Sequence, residues 1–197
     1  MRDDDLQQFV DAAAPAFAER AAPGSDAARV VAEIFARCAH RPDDAPEPPT
    51  PARLAVCDWF GPALEIARTR ATGPAAVAAT IARLGPRLSW GRRGSATPSD
   101  QPFYDGHANA TILGPGGLER RNDVWAGLSL IAPGVTYPFH THPPEEVYLP
   151  LSPGEWWNED MDWTDPGPRG LIYNRPGIRH AMRAGAGPFL ALWILPL

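Results

Sequence analysis

Lysine is absent from the 197-residue chain, and all 18 basic residues are arginine. We read this as a compositional bias without functional meaning. Cysteine is scarce, with only Cys38 and Cys57. Both fall on helix-like apolar patterns, so buried free thiols are expected, with no disulfide framework around them. No apolar run reaches the length that spans a bilayer. The acidic residues 1–5 are followed by no apolar stretch, so a secretory signal is not expected and cytoplasmic residence is the default. Excess positive charge is also missing. The formal net charge is −5, and there is no basic patch or helix-turn-helix signal, which disfavours a nucleic-acid partner.

Proline is plentiful at 24 residues, which implies many turns. Residues 1–90 read as a helical N-terminal region. Leu6, Phe9, Val10, Ala13 and Phe17 recur at helical spacing behind aspartates, whose charge suits a helix N-terminus. Pro15 is expected to kink or interrupt that helix. Ser25 reads as the N-cap of a second helix carrying Val31, Ile34, Phe35 and Cys38. A stiff proline-rich connector runs from 42 to 51. A third helical stretch holds Leu54 and Cys57 and breaks near Gly61-Pro62; a fourth starts at Pro74.

Beyond about residue 88 the period changes. Short β-branched and aromatic runs alternate with Gly and Pro clusters at 110–113, 124–132, 136–142, 146–151, 170–174, 180–184 and 189–195. This pattern predicts a mainly β C-terminal barrel or sandwich over 91–197. The amphipathic helices need a surface to bury against.

The chain has five histidines, and three belong to one constellation: His140, His142 and His180, with Glu146 and Tyr148. On an extended strand His140 and His142 share a face. Pro143-Pro144 ends that strand, and Glu146 and Tyr148 share a face of the next. Imidazole, carboxylate and phenolate together suit a divalent first-row metal, and the donor set admits Zn, Fe, Mn, Co or Ni. His40 and His107 lie in polar or turn-rich contexts and read as surface residues. A His-x-His pair alone is more often a hydrogen-bonded pair than a metal site.

The spacing supplies more. Gly134, five residues, His140-Thr141-His142, three residues, Glu146 resembles the first cupin motif, with its closing glycine as Gly154, one position late. Gly170, five residues, Pro176-Gly177, two residues, His180 resembles the second. The residue usual between that Pro and Gly is missing, and Ala184 replaces a frequent asparagine. The resemblance covers about 125–195 and implies a C-terminal double-stranded β-helix, or jelly-roll, barrel. Tyr137, His140, His142, Glu146, Tyr148 and His180 further resemble the cupin lyases that cleave dimethylsulfoniopropionate (DMSP) to dimethyl sulfide and acrylate.

That resemblance implies a metal held by His142, Glu146, Tyr148 and His180. It places His140 as ligand or pocket wall, Tyr148 as the base, and Tyr137 over the substrate, a zwitterionic sulfonium acid. Tyr137, Trp156, Trp157, Trp163 and Trp193 are candidates to hold the sulfonium by cation–π attraction. The stretch 156–170 reads as a mobile loop near the mouth. Two other readings fit a cupin: a dioxygenase acting on a thiol or small acid, and a small-molecule-binding module.

Overall fold

The computed structural model describes residues 2–42 and 47–197; residue 1 and residues 43–46, the middle of the proline-rich connector, lie outside the described residues. Asp3 accepts the Leu6 backbone N–H at 3.0 Å and opens α1 (Asp4–Ala18). The helix runs unbroken through Pro15, one turn from its end. Ser25 accepts the Ala28 N–H at 3.2 Å and caps α2 (Asp26–Cys38), as expected. A 3-10 turn (Ala55–Trp59) leads into α3 (Phe60–Arg70). Gly61-Pro62 therefore starts a helix where the sequence predicts a break. In a first turn the missing proline N–H costs nothing, because that group has no intrahelical partner. The same holds for Pro74 in α4 (Thr72–Leu84). Short α5 (Phe103–Gly106) ends the helical part.

Nine strands follow among the described residues: β1 (His107–Leu113), β2 (Val124–Ile131), β3 (Thr136–His140), β4 (Glu146–Pro150), β5 (Glu155–Asn158), β6 (Met161–Thr164), β7 (Ile172–Asn174), β8 (His180–Arg183) and β9 (Phe189–Pro196). They form a five-stranded sheet, β1-β2-β9-β4-β7, and a four-stranded sheet, β3-β8-β5-β6. Every strand pair is antiparallel. This is the predicted cupin jelly roll behind an α-helical N-terminal region. The stretch 156–170 contains most of the β5–β6 hairpin and is not a plain loop.

The larger sheet is apolar on both faces, and strand alternation shows why. On β9, Leu190, Leu192 and Ile194 join one apolar cluster with Phe9, Val31, Ile34 and Ile81 of the helices. Phe189, Ala191, Trp193 and Leu195 point the other way, into the barrel, with Tyr148 and Trp156. The helices thus cover the outer face of the large sheet. Each fully buried Leu, Ile, Val or Phe contributes about 1.5–3 kcal/mol before chain entropy is subtracted. A buried ion cluster seals the seam: Glu119 takes Arg2 Nε at 2.7 Å and Arg121 at 3.1 Å.

Candidate active site

Three structural devices bring the site together. On β3 a bulge separates Tyr137, opposite Met182, from His140, opposite His180. The extra residue lets Tyr137 and His140 both face the barrel interior, although they are three apart. The strand ends at His140, two residues earlier than expected, so His142 sits beyond the strand end. The Pro176-Gly177 turn then clasps that end. The Gly177 N–H donates to His142 O at 3.1 Å, and Thr141 Oγ1 donates to Gly177 O at 2.7 Å. Gly177 has φ +71°, a conformation that favours glycine. Finally, β4 alternation turns Glu146 and Tyr148 inward from the opposite sheet.

The result is a tight cluster. The ring nitrogens of His140, His142 and His180 can all lie within 4.8 Å of one another and could hold a metal ion. Each Nδ1 lies beside a backbone carbonyl: Pro138 O at 2.9 Å, Pro144 O at 2.9 Å and Ile178 O at 3.0 Å. Donation from Nδ1–H to these carbonyls leaves each Nε2 with a free lone pair, the arrangement of metal-ligating histidines. His142 Nε2 lies 3.1 Å from Glu146 Oε2. Two lone pairs face each other at that distance only with a proton or a cation between them. His180 Nε2 is buried, lies 3.4 Å from the same oxygen, and lacks a hydrogen-bond partner there. A buried nitrogen left so is costly. The residues present therefore fit a divalent cation.

The electrostatics agree with the geometry. Burial alone would raise the Glu146 carboxyl, but the His142 and His180 imidazoles hold it at about 2. Burial and the adjacent His180 push His140 down to about 3. Burial works against His142 too, yet the hydrogen bond and charge of Glu146 raise it above the usual histidine value. Tyr148, buried and next to the Glu146 charge, is pushed well above 10.

A cavity of 430 Å³ opens over this cluster. Tyr137, His140, His142, Glu146, Tyr148 and Trp193 line it, while His180 lies buried beneath. The other predicted tryptophans do not line it. Trp156 is core, 4.7 Å from Phe189; Trp157 meets Phe139 edge-to-face and Trp163 lies tilted against the same ring, which is 45% exposed. Sequence reasoning missed Trp125, whose ring lies 5.4 Å from Trp193 on the cavity wall. It also missed Asn109, which donates to the Tyr137 hydroxyl at 3.2 Å and accepts from Ser129 at 2.8 Å. No one-dimensional pattern marks these residues. His107, expected at the surface, is fully buried, with its ring 3.7 Å from Phe103 in a near-parallel stack. His40 is exposed as expected.

A two-sheet antiparallel barrel enclosing three imidazoles defines a cupin whose interior could hold a metal ion. Likeness to known proteins narrows the class. The DMSP lyase family model matches residues 26–191. The chain is 32% identical over 151 residues to the DMSP lyase DddQ of Ruegeria pomeroyi, covering 75% of this chain and 72% of that protein. It is 35% identical over 106 residues to the putative DMSP lyase DddL of Cereibacter sphaeroides, covering 53% of this chain. That match spans only 44% of the DddL protein. The crystal structure of the Ruegeria pomeroyi DddQ superposes with a TM-score of 0.68 over 100% of this chain and 93% of that one, at 23% identity, which speaks for the fold alone. The chain belongs to the DMSP lyase family.

Proposed function

We propose that this protein is a carbon–sulfur lyase that cleaves DMSP to dimethyl sulfide and acrylate by β-elimination. The observation that carries the reading is Tyr148, inward-facing and buried, two residues from Glu146 on the wall of a cavity built over three imidazoles. His140, His142, His180 and Glu146 would hold a divalent transition metal, with Tyr148 beside it. When bound, such an ion supplies Lewis acidity to the substrate carboxylate and favours the phenolate of an adjacent tyrosine.

Tyr148 takes the proton from the carbon next to the carboxylate. The released electron pair forms the carbon–carbon double bond as the carbon–sulfur bond breaks. The sulfur keeps its bonding pair, so the cationic sulfonium departs as neutral dimethyl sulfide and needs no acid. Glu146 orients His142 through the 3.1 Å contact. Trp193 offers a ring face to the sulfonium, worth about 0.5–2 kcal/mol, and Tyr137, fixed through its hydroxyl by Asn109, closes the acid end of the cavity. Buried walls of Met182 and Leu195 limit water near the reacting carbon.

The test is turnover. Metal-loaded protein is incubated with DMSP, and headspace dimethyl sulfide and dissolved acrylate are measured. Equal amounts of both products, above the alkaline background, are expected. Neither product, with metal occupancy confirmed, would remove the lyase reading.

A further inference from the structure

The cavity has a cation to which the steps above give no role. Arg93 lines the wall, with its guanidinium carbon 5.9 Å from the Tyr137 ring centroid. Among the described residues its guanidinium meets no carboxylate. Its neighbour Arg92 also lines the cavity, but is occupied by Tyr104 O at 2.6 Å and Asp105 at 2.8 Å. The lining carboxylate, Glu146, is hydrogen-bonded to His142 and faces His180 at 3.4 Å. Arg93 is therefore a positive charge without a counter-ion in a cavity with no free negative one.

Its backbone root is rigid. The Arg93 N–H donates to His107 Nε2 at 2.9 Å, and His107 Nδ1 lies 2.6 Å from Phe103 O. The buried His107 ring rests on Phe103, and Gly91 pairs with Asn109 through hydrogen bonds of 2.8 and 2.9 Å. The buried histidine thus secures the strand-like segment from which Arg93 reaches the cavity.

We propose that Arg93 holds the outer oxygen of the substrate's carboxylate, whose other oxygen faces the imidazole cluster, and so makes a carboxylate obligatory for entry. A guanidinium presents paired N–H donors that match a carboxylate, and it repels a sulfonium. One residue thus sets both affinity and direction: the acid end turns to Arg93 and the imidazole cluster, and the cationic end is left to Trp193, backed by Trp125. The inference takes the substrate's identity from the lyase reading, and its test reads binding separately from turnover.

Calorimetric titration of zinc-loaded protein with propionate and, separately, with propionamide makes the test. Arg93→Gln and Arg93→Met are compared with the wild type, so that misfolding of one, seen by circular dichroism, leaves the other to decide. Propionate affinity is expected to fall on the order of tenfold to a hundredfold, as for loss of a charge-assisted hydrogen-bonded pair, while propionamide affinity stays constant. In parallel the KM for DMSP rises more than kcat falls. Unchanged propionate affinity in the folded variant overturns the anchor. Arg93-dependent propionate binding with no DMSP turnover would keep the anchor and remove the lyase reading. Turnover with unchanged KM and propionate affinity in the variants would do the reverse.

Discussion

Glu146→Gln removes one charge from the centre of the site and keeps its shape. The wild-type carboxyl is held at about 2, against 4.5 when unperturbed. One pKa unit corresponds to about 1.4 kcal/mol, so the ionised form is favoured in the cation-free fold by about 3 kcal/mol. The folded value lies below the unfolded one. That stability is therefore present above about pH 4.5 and is lost as pH falls through about 2. The raised His142 shares the same cause, but its share of the coupling is present below about pH 6.5 and is lost as pH rises through its folded value. With chelator present at about pH 5.5, where Glu146 is ionised and His142 is protonated, Glu146→Gln should lose about 3 kcal/mol in urea denaturation, or roughly 6–12 °C in Tm for a chain of this size. The gap to wild type should narrow as pH falls below about 4.5 and as it rises past the His142 value. Zinc affinity, measured by competition with a chromogenic chelator, should also fall. A variant as stable as wild type at about pH 5.5 and equally tight for zinc would refute the reasoning, because it would leave Glu146 without a role toward either imidazole.

Three further outcomes follow from the same geometry. Zinc binding near pH 7 should release protons, since Glu146 raises His142 above the ordinary histidine value and a ligating imidazole must give up its Nε2 proton. The calorimetric enthalpy should then depend on the buffer's ionisation enthalpy, and zinc affinity should weaken as pH falls; a buffer-independent enthalpy would contradict this. Glu119→Gln should cost about 3–5 kcal/mol in urea without changing zinc content, because it leaves the buried Arg2 without its counter-charge, while Arg121 keeps Asp123. A loss well below 1 kcal/mol would show that the seam does not depend on this ion cluster. Gly127→Ala would put a Cβ against Ala110 O and 2.5 Å from Trp193 Cζ2. It should cost about 1–3 kcal/mol through overpacking, and displacement of Trp193 should raise the KM for DMSP; an unchanged Tm and KM would contradict both parts.

Much of the fold is legible in the sequence because strands and helices write their periods into it. The run at 189–195 is apolar at every position, which marks a strand buried on both faces. The two cupin motifs mark His140, His142, Glu146 and His180. Tyr148 follows, since a residue two beyond Glu146 must share its face. Other features have no local signature. The β3 bulge decides that Tyr137 joins His140 inside, yet nothing in the residues between them announces it. The β5–β6 strands are four residues each and rich in acid, so they resemble a solvated turn. Gly61-Pro62 looks like a helix stop and is a helix start, because proline suits both places. His107 stands among polar neighbours in the sequence, but its burial comes from Phe103 beneath it. Arg93, Asn109 and Trp125 meet the site only through tertiary packing.

The central claim is that a buried tyrosine on β4, beside a three-imidazole cluster, removes the substrate proton. Tyr148→Phe tests it most directly, since the ring and its packing stay and only the hydroxyl goes. The measurement is single-turnover release of dimethyl sulfide from DMSP by wild type and variant matched in metal content and in circular dichroism. Loss of a positioned base lowers the rate by about 10²–10⁴-fold, and a fall of that size with metal content unchanged is the expected result. Release within a factor of a few of wild type would contradict the account and move the base elsewhere in the cavity.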